Sequence, residues 1–385
     1  AVQSRGLLIF EPGTVLVVVR SGILKHTLPV TRVAVRAAIN QDVKALLPLS
    51  GRLVPAYLAT YLEVMQKEVL SLTVKHSTTV QSVNSDEFEL LDIPAPGRNV
   101  QLNLVAQIDA VRETQRKKLQ RADDLLVSLD GFVLNALGLT LPGDEGHKVY
   151  AVRLRDARER FDPDYNSPRF RALRNKIEHG KYPAQPVGLL FDPIVSGFAA
   201  GGDDQTDDAA VGIPHIRPLN ISNTAELHFN GTKMVPRSAV AKNDFLKKGE
   251  VLFNNTNSTA WVGKTVVFDA DRECACSNHI TRLSLLDKEH SPYYFAALFN
   301  ALRGLGFFGL LATNFNNQAG INVETIRAVR VPVPKPEVQR KIADEIAHRR
   351  ETARRLREEA ARLWDEAKRQ FEEELLGPEP GGRAQ

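Results

Sequence analysis

Two stretches with the same proline pattern determine the predicted fold: Ile93-Pro94-Ala95-Pro96-Gly97-Arg98-Asn99-Val100-Gln101 and Val331-Pro332-Val333-Pro334-Lys335-Pro336-Glu337-Val338-Gln339. Two prolines and the glutamine of the first stretch recur in the second stretch 238 positions later; Pro94, for example, corresponds to Pro332. Each stretch leads into a long amphipathic segment. The pattern predicts a duplicated unit, in which a globular domain is followed by a long helix.

Further blocks repeat in the same order at offsets of 236 to 237 positions: Glu11–Leu16 with Lys247–Leu252, Ile39–Val43 with Cys276–Ile280, and Pro55–Leu62 with Pro292–Phe299. Upstream of residue 11 the first copy has no further residues that match the second copy. The second copy has about 90 additional residues, from roughly Lys148 to Arg237. We therefore expect the first copy to lack its N-terminal half, through truncation, processing or an incomplete sequence.

Residue patterns within each copy predict individual elements. Short β-type runs predict strands at Thr14–Val19 and Arg32–Val35, and alternation predicts strands at Glu87–Ile93 and Val149–Leu154. The spacing of apolar residues predicts one helix over Pro55–Leu72.

The two long helices carry apolar residues at alternating spacings of four and three, as the seam of a coiled coil does. The seam positions are Leu104, Ile108, Val111, Gln115, Lys118, Ala122, Leu125, Leu129 and Phe132, and then Ile342, Ile346, Arg349, Ala353, Leu356, Ala360, Leu363, Ala367 and Gln370. We predict that the helices pair with each other in an antiparallel coiled coil. The alternative is two independent surface helices, each packed on its own domain.

Composition limits the class of protein. A chain of 385 residues has room for two or more domains. A net charge of +4 and a pI near 9.0 are compatible with a polyanionic partner. The two cysteines, Cys274 and Cys276, are too close together to crosslink a fold, which indicates a reducing compartment. The sequence contains neither a run of 18 apolar residues nor a signal-peptide pattern, so we expect a cytoplasmic protein without a membrane partner.

Four motifs, in order, carry a resemblance to a known family: Lys247–Phe253, Ser277–Leu283, Asn314–Gln318, and Val331–Pro334 with Gln339. Their order and spacing over residues 211–376 resemble the DNA-specificity subunits of type I restriction–modification enzymes. The resemblance implies an α+β fold, with two target-recognition domains of mixed sheet and helix joined by the helical pair. It also implies a non-catalytic subunit that reads a bipartite target in double-stranded DNA.

The resemblance further implies partners. Two adenine methyltransferase subunits would dock on this chain, and a motor nuclease subunit would join them for cleavage. The partner methyltransferase would bind S-adenosylmethionine, so no cofactor is expected in this chain.

The resemblance divides the chain as follows: residues 1–96 as the distal part of the first target-recognition domain, 98–136 as the first long spacer helix, 137–147 as a linker, 148–334 as the second target-recognition domain, 336–376 as the second spacer helix, and 377–385 as a disordered tail.

Candidate DNA-binding residues are polar or basic side chains in segments that differ between the copies. Asparagine and glutamine can bond adenine, hydroxyls can bond bases or phosphate, and lysine and arginine neutralise phosphate. In the second copy they are Lys233, Arg237, Lys242, Asn254, Asn255, Thr256, Asn257, Ser258, Asn314, Asn316, Asn317 and Gln318. In the first copy they are Arg20, Ser21, Lys25, Lys75, His76, Ser77, Thr78 and Thr79. The alternative is that these residues simply form turns.

Enzyme-like patterns are incomplete. Gly263-Lys264-Thr265 ends like a phosphate-binding loop, but Ser258 stands where its first glycine should be. The cysteine pair has the wrong spacing for a zinc site, so we expect no metal. Asp269, Asp271 and Glu273 lack the glutamate–lysine motif of a nuclease. Two alternative functions stay open: the recognition region of a longer single-chain restriction–methylation enzyme, and a helical adaptor that does not bind DNA.

Overall fold

The computed structural model describes residues 8–48, 51–75, 81–141, 149–157, 161–315 and 318–377. The chain divides into two compact units. The first unit comprises residues 1–122 and 354–385, and the second comprises residues 123–353. The predicted tail from residue 378 onward and most of the predicted linker lie outside the described residues.

The first unit contains short strands and helices that precede a long helix. They are β1 (Val15–Val18), β2 (Val30–Arg32), β3 (Val43–Leu46), α1 (Pro55–Val64), α2 (Gln66–Thr73), β4 (Val74–Lys75), β5 (Ser82–Val83), α3 (Ser85–Glu89) and the start of α4 (Arg98–Leu137). Strands β2, β1 and β3 form an antiparallel sheet in that order. Val15 and Val17 of β1 are fully buried against Tyr57 and Leu62 of α1, so the sheet and α1 share one core.

Three predictions for this unit are corrected. The strand predicted at Arg32–Val35 is displaced toward the N-terminus, because β2 spans Val30–Arg32 and the two residues 34 and 35 form a bend. The predicted helix over Pro55–Leu72 is interrupted at Met65, which separates α1 from α2. The predicted strand Glu87–Ile93 is wrong, because α3 occupies its first half and residues 90–93 are irregular. Acidic side chains in the first turn of α3 favour a helix there, since they face the positive end of the helix dipole.

The second unit begins with the end of α4 and continues through α5 (Pro168–His179), β6 (Ala184–Pro186), α6 (Val187–Leu190), β7 (Phe191–Ser196), β8 (Gly212–Ile216), β9 (Met234–Pro236), β10 (Val251–Asn254), β11 (Thr256–Asn257), β12 (Thr265–Val267), β13 (Ala275–Cys276), β14 (Ile280–Leu285), α7 (Pro292–Gly304), α8 (Phe307–Leu311), β15 (Thr313–Phe315), β16 (Gln318–Gly320), α9 (Val323–Ala328), β17 (Arg330–Pro332) and the start of α10 (Pro336–Leu376). The predicted strand Val149–Leu154 is wrong. Residues 149–153 are irregular, and the apolar side chains at the two ends of the predicted strand, Val149 and Leu154, are largely exposed. The segment therefore has no buried face on which a strand could pack.

The main sheets of the two units confirm the sequence repeat. In the second unit the order is β12-β10-β14-β7. Val251 pairs with Leu283 across β10 and β14, as Val15 pairs with Leu46 across β1 and β3. The described part of the first unit contains no counterpart of β7, in agreement with the shorter first copy.

The long helices pack against each other in an antiparallel sense within each unit. In the first unit, Gln115 Nε2 lies 3.3 Å from the carbonyl oxygen of Ala360, and Lys118 Nζ lies 2.7 Å from Glu359 Oε2. In the second unit, the Arg349 guanidinium lies over the Phe132 ring at 4.5 Å. Every position of the predicted seam is buried or half-buried except Gln370, which is exposed.

Phe371, one position further along α10, fills the seam instead of Gln370 and stacks on Tyr57 at 6.3 Å between ring centroids. Neither long helix, nor any other helix among the described residues, is both long and apolar enough to cross a membrane.

The glutamine that ends each proline motif forms a buried clamp, here called the glutamine clamp (Gln101 and Gln339). Gln339 Oε1 accepts from the backbone N–H of Ser291 at 3.0 Å, and its Nε2 donates to the carbonyl oxygen of Pro334 at 2.8 Å. Gln101 makes the equivalent bonds with Val54 N–H and Pro96 O, each at 2.8 Å. Each long helix is thereby tied to the N-terminus of the helix that supports the sheet.

A buried tyrosine reinforces each clamp. The Tyr57 hydroxyl donates to the Pro94 carbonyl oxygen at 2.8 Å, and the Tyr294 hydroxyl donates to the Pro332 carbonyl oxygen at 2.7 Å. Both tyrosines are fully buried. The repeated sequence motif is therefore a structural junction.

Candidate nucleic-acid interface

A small sheet in the second unit brings together the two polar clusters that the sequence predicted. Strands β11, β16 and β15 form an antiparallel sheet in that order, here called the hairpin sheet. Thr256 lies opposite Gly320, and Phe315 lies opposite Gln318. The segment after β10 and the segment before the last strand thus belong to one small sheet, although about 60 residues separate them in the sequence.

The register assigns the hairpin-sheet side chains to two faces, because neighbouring residues of a strand point to opposite sides. Ala319 is fully buried, so its face is directed toward the core, and Asn314 and Asn257 share that face. Gln318 and Thr256 share the opposite face, and Gln318 is exposed.

Asn314 is exposed as well, despite its inward-facing position. Asn314 and Gln318 therefore belong to different faces rather than to a single cluster. Asn316 and Asn317, at the tip of the hairpin, lie outside the described residues.

Asn254 and Asn255 are buried, which corrects the expectation that they contact DNA directly. Asn254 is fully buried at the end of β10, and its Nδ2 donates to the Trp261 carbonyl oxygen at 3.2 Å. Asn255 is 5% exposed, and its Nδ2 donates to the Asn278 carbonyl oxygen and to Thr281 Oγ1, each at 2.9 Å. Both amides hold the strand ends together and are not available to a base in this structure.

The rest of that segment is more accessible. Thr256 and Asn257 are half-buried in β11, and Ser258 is exposed. Asn257 Oδ1 accepts from the Ser258 backbone N–H at 2.8 Å. These three residues are more accessible to solvent than Asn254 and Asn255.

The three predicted basic residues of this unit are exposed: Lys233, Arg237 and Lys242. Arg237 is already paired, because its Nε and Nη2 lie 2.6 and 2.7 Å from the two carboxylate oxygens of Glu273. This hydrogen bond lowers the pKa of Glu273, so the carboxylate stays charged and neutralises the arginine. Lys233 and Lys242 are the better candidates for phosphate contacts.

The first unit builds its corresponding site in the same register. Arg20 bridges to Ser82, as Thr256 bridges to Gly320 in the second unit. Arg20 and Lys25 are exposed, and the Ser21 hydroxyl accepts from the Ile23 backbone N–H at 3.4 Å. Lys75 lies at the end of β4, opposite Ser82.

The remaining predicted residues of the first copy, His76, Ser77, Thr78 and Thr79, lie outside the described residues. The two units therefore present equivalent backbone positions with different side chains. Arg20 stands where the second unit has Thr256.

Comparisons with known proteins agree with this architecture. Residues 207–348 match the family model described as the type I restriction modification DNA specificity domain. The matched residues lie within the second unit.

Two curated relatives are specificity subunits. The chain is 29% identical over 175 residues to a putative type I restriction enzyme MjaX specificity subunit from Methanocaldococcus jannaschii, which is 44% of this chain and 40% of that protein. It is 32% identical over 96 residues to the EcoR124I/EcoR124II specificity subunit of Escherichia coli, which is 25% of this chain and 24% of that protein. The matched regions span less than half of either relative.

A solved structure of a type I restriction–modification system contains a chain of similar fold. The TM-score is 0.56 at 16% sequence identity, and the alignment covers 95% of this chain and 81% of the other. The likeness supports the α+β architecture with its two long helices, as the sequence predicted.

The enzyme-like patterns have structural explanations within the second unit. Gly263 has a φ of 89° and forms a turn into β12. Burial raises the pKa of Cys274 and of Cys276 to about 12, so both thiols stay protonated at neutral pH. Among the described residues, no group of histidine, cysteine and acidic side chains could hold a metal ion.

The three acidic residues of the nuclease-like pattern lie exposed and are engaged in surface contacts. Lys248 pairs with Asp271, and the Tyr293 hydroxyl donates to Asp269 Oδ2 at 3.3 Å. Glu273 pairs with Arg237. Their arrangement is that of turn residues at the surface.

Sequence reasoning missed Trp261, whose ring packs against two basic side chains and whose carbonyl oxygen accepts from Asn254. The Trp261 ring lies 5.3 Å from Lys264 Nζ and 5.2 Å from the Arg303 guanidinium. Burial, with Arg303 nearby, lowers the pKa of the Lys264 ammonium. It also missed Phe315, which is 50% exposed on the hairpin sheet. A strand of three residues with one apolar side chain gives no sequence signal for the face on which Phe315 lies.

Proposed function

We propose that this chain recognises a bipartite sequence in double-stranded DNA and directs partner adenine methyltransferase subunits to it. The observation that carries the proposal is the equivalence of the two candidate sites. Arg20–Ser82 and Thr256–Gly320 occupy the same register, whereas their side chains differ. A common frame with different side chains is what reading two different half-sites requires.

The division of labour follows from the chemistry of the chain. The side chains on the hairpin sheet are amides, hydroxyls and a ring, which suit recognition rather than catalysis. We assign methyl transfer, and S-adenosylmethionine binding, to two partner subunits, and DNA cleavage to a motor nuclease subunit. The complex would work in the cytoplasm, where it meets DNA.

The first test is binding of the full chain, alone and with its methyltransferase partner, to duplex DNA at several salt concentrations. If six phosphates are contacted, the logarithm of the binding constant should fall with the logarithm of salt concentration with a slope of about −5. A chain that shows no salt-dependent duplex binding in either form would contradict DNA recognition and leave the adaptor function.

The second test is methylation mapping of the host genome with and without the gene. Deletion should abolish methylation at a single bipartite adenine motif. An unchanged methylation pattern would count against the proposal.

Point variants assign residues to one half of that motif. Asn257→Ala and Gln318→Ala should relax recognition of one half only, because both residues belong to the second unit. Asn103→Ala removes an exposed amide from α4 and should leave recognition unchanged. Equal loss at both halves in the first two variants would mean that the hairpin sheet has only a structural role.

A further inference from the structure

Phe315 occupies an unusual position for a large apolar side chain. It lies on the outward face of the hairpin sheet and is 50% exposed. Thr313 and Gln318 share that face and are also exposed, and Thr256 flanks it from β11. The face therefore combines one amide and two hydroxyls around an aromatic ring.

The sheet makes room for this ring at Gly320. A Cβ atom at position 320 would lie 2.9 Å from Phe315 Cε1, closer than Cβ contacts in proteins allow. The ring thus rests on the glycine backbone, with Thr256 Oγ1 3.9 Å from the same point. A ring supported on one side and exposed on the other is held in place to meet a surface rather than to insert between stacked bases.

We propose that Phe315 and Gln318 together read one A·T base pair from the major groove. This inference rests on the proposed function and names the contact. In the major groove an A·T pair presents the N6 and N7 atoms of adenine beside the C5-methyl group of thymine. A glutamine amide matches the first group and an apolar ring matches the second. Phe315 and Gln318 are directly opposite each other across the two strands, which places an amide and a ring side by side.

The first copy lacks this pair. At an offset of 238 positions, Ser77 corresponds to Phe315 and Val80 corresponds to Gln318. The contact is therefore confined to the half-site that the second unit reads. The other half-site serves as an internal control for folding and for binding of the intact complex.

The test uses the full chain with its methyltransferase partner and duplexes that carry the mapped target. Each thymine of the relevant half-site is replaced in turn by deoxyuridine, which lacks only the C5-methyl group. Replacement at one position should weaken binding about fourfold, the value for removing one methyl contact of about 0.8 kcal/mol. Phe315→Ala should abolish this sensitivity at that position and leave discrimination at the other half-site intact.

Two further variants sharpen the result. Gln318→Ala should make binding insensitive to 7-deazaadenine, which lacks the N7 acceptor, in the same base pair. Leu286→Ala, which shortens another exposed apolar side chain of this unit, should leave the deoxyuridine sensitivity unchanged.

The outcomes separate the two proposals. A complex that binds its target specifically but shows no deoxyuridine effect, or in which Phe315→Ala retains that effect, overturns the thymine contact alone. A complex that binds no duplex overturns the proposed function and this contact with it.

Discussion

Replacement of Gln339 by leucine tests whether the glutamine clamp holds the second unit together. The side chain is fully buried, so its bonds are not replaced by water in the native state. Gln339→Leu leaves the Ser291 N–H and the Pro334 carbonyl without these partners, and it removes the 2.8 Å contact with His290 Nδ1. An orphaned buried polar group costs about 1–3 kcal/mol, so two such groups should cost about 2–6 kcal/mol.

Hydrogen exchange followed by mass spectrometry measures this cost locally, which matters because a chain with two units need not unfold in one step. Amide exchange in α7 should accelerate by at least tenfold, since 1.4 kcal/mol corresponds to a factor of ten. Gln101→Leu should have the same effect on α1 of the first unit, because it breaks the equivalent bonds. Gln107→Leu changes an exposed glutamine of α4 and is the matched control. Exchange in α7 that stays within a factor of two of wild type in Gln339→Leu would refute the assigned role of the clamp.

Three further predictions concern other contacts. The hydrogen bond from Lys118 lowers the pKa of Glu359. The stabilisation from this pair is therefore present above the pKa of the carboxyl in the unfolded chain, and it is lost as the pH falls through the lowered pKa of the folded state. Glu359→Gln should show a smaller decrease in the urea midpoint between pH 7 and pH 3 than wild type does. Both cysteines should resist iodoacetamide in the native protein and react in urea, as intact-mass measurement would show, because burial raises the pKa of each thiol. Gly263→Ala should lower the thermal midpoint more than Gly249→Ala, since both glycines have positive φ angles but only a Cβ at Gly263 would meet a phenylalanine ring, at 2.4 Å; equal shifts would mean that backbone strain alone matters.

The repeat and the helix seam could be predicted because both depend on regular spacing along the chain. Ile342 and Ile346 are buried where a spacing of four requires, and Gly377, with a φ of 80°, follows the end of α10 as expected. The error at Gln370 is small, since Phe371 is the adjacent residue and a larger apolar side chain takes the buried position.

The candidate site was harder to predict because it depends on contacts between distant segments. Asn255 lies in a segment whose composition is typical of a turn. Its side-chain amide nevertheless donates to Thr281 and to the carbonyl oxygen of Asn278, which are more than twenty positions away in the sequence. The face to which Asn314 or Gln318 belongs depends on the strand register, which a sequence alone does not determine. The strand predicted at Glu87–Ile93 failed for a related reason, because alternation identifies a strand only where a partner strand is present.

The distribution of these contacts explains how the outward face of the hairpin sheet can vary while the fold persists. The junction between the long helix and the domain depends on particular side chains. The buried amide of Gln339 and the hydroxyl of Tyr294 each form a hydrogen bond with a specific backbone group. The hairpin sheet depends mainly on backbone pairing, which most side chains permit. Substitution on its outward face therefore removes few contacts that stabilise the unit. Arg20 in the first unit and Thr256 in the second occupy one register position with different chemistry, which is the outcome expected when the frame is constrained and the outward face is not.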